Sequence, residues 1–206
     1  MMIAIIDYGM GNLKNVKKGF EKVGYEAQIT DQAEDILAAD GVVLPGVGAF
    51  KDAMNNLKEA ELIEVIQETI NKGKPFLGIC LGLQLLFTES EEFGLTSGLD
   101  IIKGRVVKFP DYLDLKVPQI GWNELNLKQD TKLYQGLEGE IYQYFVHSYY
   151  VAPEDKSVIA TTTDYGIEFV SSIVKDNIYA VQFHPEKSSQ QGLQILKNFG
   201  EITEEE

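Results

Sequence analysis

The amino-acid sequence predicts an α/β fold with a doubly wound, mostly parallel sheet, helices on both faces and an antiparallel extension. Two patterns along the chain indicate this fold. In the first half, short apolar runs that suit strands alternate with segments whose apolar residues recur at helical spacing, which is typical of a parallel sheet covered on both sides. In the second half, β-rich segments follow one another with turn residues between them, which indicates antiparallel strands.

The elements of the first half follow from the spacing of apolar residues. Leu13, Val16 and Phe20, for example, recur at the helical period. The predicted elements are a strand at 2–7, a helix at 12–23, strands at 25–29 and 41–44, helices at 49–57 and 62–71, a strand at 75–80 and a helix at 81–88. Because ligands of such sheets bind beyond the carboxyl ends of the strands, a site is expected in the turns that follow them.

The second half is predicted to extend the sheet and to close with a helix. The predicted elements are strands at 105–109, 141–147, 157–163, 168–175 and 178–183, then a helix at 189–199. The acidic tail 201–206 is expected to be a frayed, solvated end. No internal repeat, low-complexity tract or linker interrupts the sequence, so residues 1–206 are expected to form one domain.

Composition argues against several classes of function. The formal net charge of −14 disfavours nucleic-acid binding, which needs basic surfaces to neutralise phosphates. No run approaches the ~18 apolar residues of a membrane span, and the N-terminal run is too short and lacks the basic residues of a signal peptide. The single cysteine allows no intramolecular disulfide. A cytoplasmic protein without membrane or nucleic-acid partners is therefore expected.

The single cysteine lies in the segment Gly78-Ile79-Cys80-Leu81-Gly82, between a predicted strand and a predicted helix. This is the arrangement of a nucleophile elbow, with sulfur in place of a serine oxygen. The residues two before and two after the nucleophile must be small, because the backbone approaches itself closely there. A cysteine at a helix N-terminus is favoured as a thiolate. The alternative is a buried structural cysteine.

A cysteine nucleophile needs a base that is held in place by a third group, and the chain offers two histidines. His184 ends a predicted strand, and Glu186 lies two residues later, where extended backbone directs its side chain to the same side. Glu186 could therefore orient the imidazole, although a plain turn after a strand remains an alternative. His147 is the other candidate for the base. It ranks second because no carboxylate lies near it in strand register.

Acyl transfer also needs donors for an oxyanion. One is expected from the backbone of Leu81, directly after the nucleophile, and another from the segment Pro45-Gly46-Val47-Gly48, whose glycines allow a peptide to turn or flip. An ordinary turn is the alternative for that segment. Gly9-Met10-Gly11-Asn12 lacks the spacing of a nucleotide-binding loop. Two histidines and one cysteine are few ligands for a metal site, so no cofactor and no metal are expected.

In order and spacing, these motifs resemble those of the class I, triad-type glutamine amidotransferases. The resemblance implies hydrolysis of glutamine to glutamate and ammonia, with Cys80 as nucleophile, His184 as general base and acid, and Glu186 as the orienting group. It also implies an oxyanion and substrate site formed by Gly46, Val47, Gly48, Leu81, Gln84, Glu92, His147, Ser148 and Tyr149. Among these, Gln84 would contact the substrate and Glu92 would receive its amino group.

Within that family the sequence is most similar to the glutaminase subunits that serve imidazole glycerol phosphate synthesis in histidine biosynthesis. Five segments carry this similarity: 5–13, 44–50, 118–123, 145–149 and 182–188. Met10 departs from the proline that many members have. The resemblance implies a heterodimer with a (β/α)₈-barrel cyclase, which uses the ammonia to make imidazole glycerol phosphate and an aminoimidazole ribotide. Glutaminases for other acceptors, a cysteine peptidase and a regulatory binding module are the alternatives.

A surface for the cyclase is predicted beside the active site, because aromatic residues are favoured anchors of interfaces. Trp122 is the only tryptophan, and a place in the core is the alternative for it. The residues expected at the interface and the ammonia exit are Met10, Asn12, Ile120, Trp122, Asn123, Tyr144 and Lys187.

Overall fold

The computed structural model describes residues 1–205. Its first half contains β1 (Met2–Ile6), α1 (Leu13–Lys22), β2 (Glu26–Thr30), α2 (Ala33–Ala38), β3 (Gly41–Gly46), α3 (Phe50–Glu59), α4 (Leu62–Asn71), β4 (Phe76–Cys80) and α5 (Leu81–Leu85). The remainder contains β5 (Phe87–Ser90), β6 (Thr96–Ser97), β7 (Ile102–Lys108), β8 (Gln119–Glu124), β9 (Asn126–Leu127), β10 (Tyr142–His147), β11 (Tyr149–Pro153), β12 (Ile159–Asp164), β13 (Glu168–Lys175), β14 (Ile178–Val181) and α6 (Ser189–Glu204). Short 3₁₀ helices span Lys132–Tyr134, Lys156–Val158 and Pro185–Lys187.

The main sheet has the strand order β2-β1-β3-β4-β14-β13-β11-β7-β5-β6. The first five of these strands are parallel, and β14 comes from late in the chain to lie beside β4. From β14 outward, β13, β11 and β7 continue the sheet in antiparallel pairing. The prediction of a doubly wound, mostly parallel sheet with an antiparallel extension is confirmed.

Two apolar cores lie on opposite faces of the sheet, and the side chains of β1 contribute alternately to one and the other. Ile3 and Ile5 belong to a core with α1 and α6, whereas Ala4 and Ile6 belong to a core with α3 and α4. Successive side chains of a strand point to opposite faces, so a central strand covered by helices on both sides is apolar throughout. None of the helices in residues 1–205 is long and apolar enough to cross a membrane.

Three expectations about individual elements are wrong. The helix predicted at 81–88 ends at Leu85, because the chain returns to the sheet at Phe87, which pairs with Ile102. The strand predicted at 141–147 does not join the main sheet, since β10 pairs with β8 in a separate two-stranded sheet. The final helix continues to Glu204 instead of fraying, because Ile202 and Thr203 are buried.

Glu206, the last residue of the predicted tail, lies outside the described residues. The structure also contains elements that the sequence patterns did not indicate, namely α2, β5, β6, β8, β9 and β11. That residues 1–206 form one domain remains a prediction.

Candidate active site

Cys80 occupies a strained turn between β4 and α5. Its backbone has φ 55° and ψ −108°, a conformation that non-glycine residues rarely adopt and that is typical of functional sites. The flanking glycines permit the turn, because a Cβ on Gly82 would lie 1.8 Å from the carbonyl oxygen of Leu44 and a Cβ on Gly78 would lie 3.0 Å from the carbonyl oxygen of Gly82. The geometry therefore has the shape that the glycine spacing predicts, with the thiol at the carboxyl end of β4.

His184 lies beyond the carboxyl end of β14, the strand that pairs with β4 next to Cys80. Its Nδ1–H donates a hydrogen bond of 2.8 Å to Oε1 of Glu186, and the two side chains are only 2% and 1% exposed. Nε2 of His184 makes no hydrogen bond to any described residue. The tautomer is thus fixed by the carboxylate, which leaves Nε2 for exchange of a proton.

The charge of His184 depends on its two neighbours. Burial alone would lower the pKa of the imidazole, but the Cys80 thiolate and the Glu186 carboxylate outweigh it and raise the pKa to about 10. A protonated imidazole beside a thiolate is the ion pair that activates a cysteine nucleophile.

His147 lies at the end of β10 in a different environment. Its Nδ1–H donates to the carbonyl oxygen of Tyr149 at 2.8 Å, and no carboxylate contacts it. Burial lowers its pKa to about 4, and the charge of His184 acts in the same direction. His147 is therefore a neutral imidazole at ordinary pH, without the orienting carboxylate that His184 has.

A cavity of about 400 Å³ opens over Cys80. It brings together most of the residues that the sequence suggests for the oxyanion and substrate site. The residues lining it are Val47, Gly48, Cys80, Leu81, Gln84, Glu92, Pro118, Val146, His147, Ser148, Tyr149 and Lys187. Gly46 lies directly before this wall, paired with Cys80 across β3 and β4.

The oxyanion loop, residues 45–48, is held from below by Tyr8. The phenol of Tyr8 donates a hydrogen bond of 2.9 Å to the carbonyl oxygen of Pro45, and a Cβ on Gly46 would lie 2.4 Å from that phenol oxygen. Gly48 has φ +100°, a conformation that favours glycine. Tyr8 belongs to the segment 5–13 that carries the family resemblance, but the sequence patterns assigned it no role of its own; its place two residues after β1 was available as a signal.

Two glutamines connect the cavity with the nucleophile. Gln84 donates from Nε2 to the carbonyl oxygen of Tyr149 and to Oε1 of Gln182, both at 3.0 Å. Nε2 of Gln182 in turn contacts Sγ of Cys80 at 3.7 Å. Gln182 was missed in the sequence, although it precedes His184 by two residues, the same spacing that identified Glu186.

Glu92 has a partner within the chain that its predicted role did not include. Its Oε2 accepts a hydrogen bond of 2.7 Å from the backbone N–H of Phe50, the first residue of α3. A carboxylate in this place satisfies one of the unpaired amides of the helix and interacts favourably with its dipole.

The residues predicted to meet a partner fall into two groups. Ile120 and Trp122 are 61% and 50% exposed on β8, and Trp122 makes an edge contact with Tyr144 of β10, with ring centroids 6.2 Å apart. Nζ of Lys187 lies 5.8 Å from the centroid of the Tyr144 ring, and Lys187 also lines the cavity of Cys80. These four residues form one continuous group beside the cavity.

The other three are engaged within the chain. Asn123 accepts a hydrogen bond of 2.8 Å from Gln119 and lies one residue from Trp122, on the opposite face of β8. Asn12 precedes α1, and its backbone carbonyl oxygen accepts from the N–H of Asn15 and of Val16, whereas its side chain makes no capping hydrogen bond. Met10 packs against the oxyanion loop, since its Cε is 2.6 Å from where a Cβ of Gly48 would be.

Among residues 1–205, no group of three or more histidine, cysteine, aspartate or glutamate side chains could hold a metal ion. The Cys80 thiol and backbone near glycines line the cavity instead, and the imidazole of His184, which is paired with Glu186, interacts with Cys80 without lining the cavity itself. Such a set suits nucleophilic attack on a carbonyl carbon.

Comparison with known sequences gives close relatives over the whole chain. The profile of the class-I glutamine amidotransferase family matches residues 4–202. The imidazole glycerol phosphate synthase subunit HisH of Syntrophotalea carbinolica is 57% identical, over 98% of this chain and 100% of that relative. The protein of the same name from Aquifex aeolicus is 54% identical, over 97% of this chain and 96% of the relative.

Solved structures show the same fold at much lower sequence identity. PurLQS from Thermotoga maritima superposes with a TM-score of 0.76 at 15% identity, covering 98% of each chain. A glutamine amidotransferase from Thermotoga maritima superposes with a TM-score of 0.66 at 17% identity, covering 100% of this chain and 84% of the other.

Proposed function

Since this chain belongs to the class-I glutamine amidotransferases, and within them to the imidazole glycerol phosphate synthase subunits HisH, we propose that Cys80, His184 and Glu186 perform its glutamine hydrolysis. The protein is the glutaminase subunit of an enzyme of histidine biosynthesis. The observation that supports the assignment of residues is the buried His184–Glu186 pair, whose imidazole also interacts with the Cys80 side chain.

In the first half-reaction the Cys80 thiolate attacks the side-chain amide carbon of glutamine. The carbonyl π electrons move to its oxygen, and a tetrahedral intermediate forms. His184, protonated because its pKa is raised to about 10, gives its Nε2 proton to the leaving nitrogen. The C–N bond breaks, ammonia leaves, and a γ-glutamyl thioester remains on Cys80.

In the second half-reaction water hydrolyses the thioester. His184, now neutral, takes a proton from water at Nε2 as the oxygen attacks the thioester carbon. The C–S bond breaks, glutamate leaves, and the thiolate–imidazolium pair is restored. Glu186 accepts from Nδ1–H throughout, so the imidazole keeps one orientation in both steps.

Backbone amides stabilise the oxyanion in both steps. Leu81 is the first residue of α5, and amides of a first helical turn have no acceptor within the helix. The second donor comes from Val47 or Gly48, which line the same cavity. Because Gly48 has φ +100°, rotation of the preceding peptide is easier than with any other residue, and such a flip would switch the oxyanion site on.

The substrate is held by residues along the cavity. Both N–H groups of the Gln84 amide are committed within the chain, which leaves its Oε1 to accept from the substrate. The backbone of His147, Ser148 and Tyr149 forms one wall. Glu92 uses one carboxylate oxygen for the N–H of Phe50, so its other oxygen is the group available to the substrate ammonium.

A comparison of two nitrogen sources tests the assignment of Cys80. The Cys80→Ala variant is expected to lose glutamine hydrolysis, and to lose glutamine-dependent synthesis in the presence of the cyclase. Synthesis from added ammonium salts should remain at the rate of the unaltered complex, because the acceptor chemistry belongs to the partner. Glutamine hydrolysis by the alanine variant would show that another residue is the nucleophile.

We further propose that the partner is a (β/α)₈-barrel cyclase in a 1:1 complex, and that it docks on the group formed by Ile120, Trp122, Tyr144 and Lys187. The large exposed fractions of Ile120 and Trp122 support this surface, since exposed aromatic and apolar residues in contact are favoured at interfaces. Lys187 and Tyr144 would lie at the ammonia exit, because Lys187 lines the cavity and its Nζ lies over the Tyr144 ring.

The fluorescence of Trp122 reports on this surface without labelling, as it is the only tryptophan. Titration with the cyclase should change its emission, and Trp122→Ala should weaken the complex by about 10-fold or more. Leu127→Ala, at another exposed apolar residue (47%), is the matched control and should leave the affinity unchanged. Unchanged emission together with unchanged affinity of the Trp122 variant would place the interface elsewhere.

We also propose a cytoplasmic location. A thioester mechanism needs a reduced thiol, and Cys80 is the only cysteine and is buried.

A further inference from the structure

We propose that Gln182 is a further active-site residue, whose side-chain amide donates an N–H to the Cys80 sulfur and thereby stabilises and positions the thiolate. This inference rests on the proposed function of Cys80 as the nucleophile. It concerns a group that takes no part in proton transfer, since an amide neither gains nor loses a proton at ordinary pH.

Gln182 is rigidly placed next to the nucleophile. It follows β14 directly, and β14 pairs in parallel with β4, so that Val181 lies opposite Ile79 and the next residues of the two strands are Gln182 and Cys80. The backbone N–H of Gln182 donates to the carbonyl oxygen of Ser171 at 2.8 Å. Its side chain is fully buried, so no bulk water competes for its polar atoms.

The hydrogen-bond network fixes which end of the Gln182 amide faces sulfur. Gln84 must direct its Nε2 toward the carbonyl oxygen of Tyr149, because a carbonyl can only accept. The same Nε2 then donates to Gln182, which must present its Oε1. This leaves Nε2 of Gln182 for Cys80, at 3.7 Å from Sγ. The opposite orientation of Gln182 would bring two N–H donors together and aim an oxygen at the sulfur.

A donor at this place acts on the charged form of the thiol. Hydrogen bonds to a charged group favour that form, and they act strongly where water is excluded. The titratable groups whose charges are coupled to Cys80 among the described residues are His184 and Tyr8. In the proposed mechanism the sulfur is negatively charged before it attacks glutamine and again when the C–S bond breaks, and the Gln182 donor acts at both points without any proton transfer of its own. Gln182 would therefore support the sulfur in both half-reactions.

The test uses alkylation of the full-length chain by iodoacetamide as a function of pH. Cys80 is the only thiol, so the rate of alkylation reports on its thiolate alone. In Gln182→Met, which keeps the volume but removes the donor, the pH of half-maximal rate should rise by roughly one unit. In Gln182→Glu, which keeps the acceptor for Gln84, the rise should be larger, because a carboxylate replaces the donor.

The matched control is Gln143→Met, since Gln143 is another fully buried glutamine, located in β10. Its alkylation profile should coincide with that of the unaltered protein. The result for Gln182→Met is decisive: an alkylation profile that coincides with the control overturns the proposal. This holds even if the profile of Gln182→Glu moves to higher pH, because that change would come from the new charge alone. Circular dichroism of each variant confirms that the chain is folded.

Glutaminase assays of the same variants separate this inference from the proposed function. The value of kcat for glutamine should fall about 10-fold in Gln182→Met, with a smaller change in KM, because the thiolate is less stable while the cavity is intact. If the unaltered complex showed no glutaminase activity, the proposed function would fail, whereas the alkylation profiles would still decide the role of Gln182.

Discussion

Glu186 accepts a hydrogen bond of 2.8 Å from Nδ1 of His184, and both side chains are almost completely buried. Because of this pair, we expect a substitution of Glu186 that removes only its charge to lower the rate of glutamine hydrolysis strongly. In Glu186→Gln the charge is lost while the shape is kept, and an amide that presents its N–H to Nδ1 would favour the wrong tautomer. The value of kcat for glutamine should fall by about 10²–10⁴, as for an orienting carboxylate in serine proteases.

Glu186→Asp keeps the charge and should restore part of that activity, measured as ammonia release under saturating glutamine. His147→Ala should reduce turnover less than His184→Ala does. The reverse order would make His147 the base.

The phenol of Tyr8 predicts a second, smaller effect on the rate. In Tyr8→Phe the ring that supports the oxyanion loop remains, but the hydrogen bond to Pro45 is lost. A net hydrogen bond of about 0.5–1.5 kcal/mol corresponds to a decrease of roughly 2- to 13-fold in kcat if the loop is then less well positioned.

Because the loop acts on the transition state, KM should change little in that variant. Tyr25→Phe is the control for the loss of a phenol hydroxyl, because the Tyr25 ring packs against Gly200 of α6. Its kcat should equal that of the unaltered enzyme. A Tyr8→Phe enzyme whose only change is a higher KM would mean that Tyr8 supports substrate binding instead of the oxyanion loop.

Neither histidine should change its protonation state in a pH titration around neutrality. The pKa of His184 is raised to about 10 and that of His147 is lowered to about 4. Between pH 6 and 8 His184 therefore stays protonated and His147 stays neutral. Nitrogen-15 NMR of the imidazoles should show one charged and one neutral ring throughout this range.

The same measurement on Cys80→Ala tests the cause. The negative charge of Cys80 is the largest of the influences that raise the pKa of His184, so its removal should bring the titration of His184 down toward neutral pH. If His184 titrated near pH 6.5 in the unaltered protein, the thiolate–imidazolium pair would not be present in the resting enzyme.

The elbow predicts a loss of stability at Gly82. A Cβ there would lie 1.8 Å from the carbonyl oxygen of Leu44, and backbone cannot move aside without disturbing β3. Gly82→Ala should lower the free energy of unfolding by about 3 kcal/mol or more, measured by urea titration.

Gly24→Ala is the control, because no atom lies within 4 Å of a Cβ there although φ is +96°. Its cost should be about 1–2 kcal/mol, from backbone strain alone. Equal losses at the two positions would mean that the contact with Leu44 relaxes at a cost no larger than that of backbone strain, and would contradict close approach as the reason for the glycine at 82.

Local sequence patterns were sufficient to predict several elements of the fold and the turn that holds Cys80. Helix α4 has the predicted bounds of 62–71, and the turn at Cys80 has the strain that its two glycines imply. The pairing of His184 with Glu186 was predicted from their spacing of two, although the backbone after His184 enters the 3₁₀ helix Pro185–Lys187 and does not continue as the extended strand from which the prediction was argued. These features depend on residues that are close in sequence, so their spacing contains the information.

Features that depend on distant residues were not predicted. The sequence of β10 does not show whether it pairs with the main sheet or with β8, since its alternation of buried residues suits any strand that has one covered face. The role of Glu92 at the start of α3 joins residues 42 positions apart. Helix α5 is short because Phe87 pairs with β7, and the mostly apolar segment from Leu83 to Phe87, interrupted only by Gln84, suits a helix or a buried strand equally.

The central claim is that hydrolysis of glutamine passes through a γ-glutamyl thioester on Cys80. Mass spectrometry of the complex, quenched with acid during turnover of glutamine and digested, measures this directly. The peptide that contains Cys80 should be heavier by one glutamyl residue, and the increase should be absent from Cys80→Ala. Turnover of glutamine without this adduct, or an adduct on a different peptide, would contradict the account.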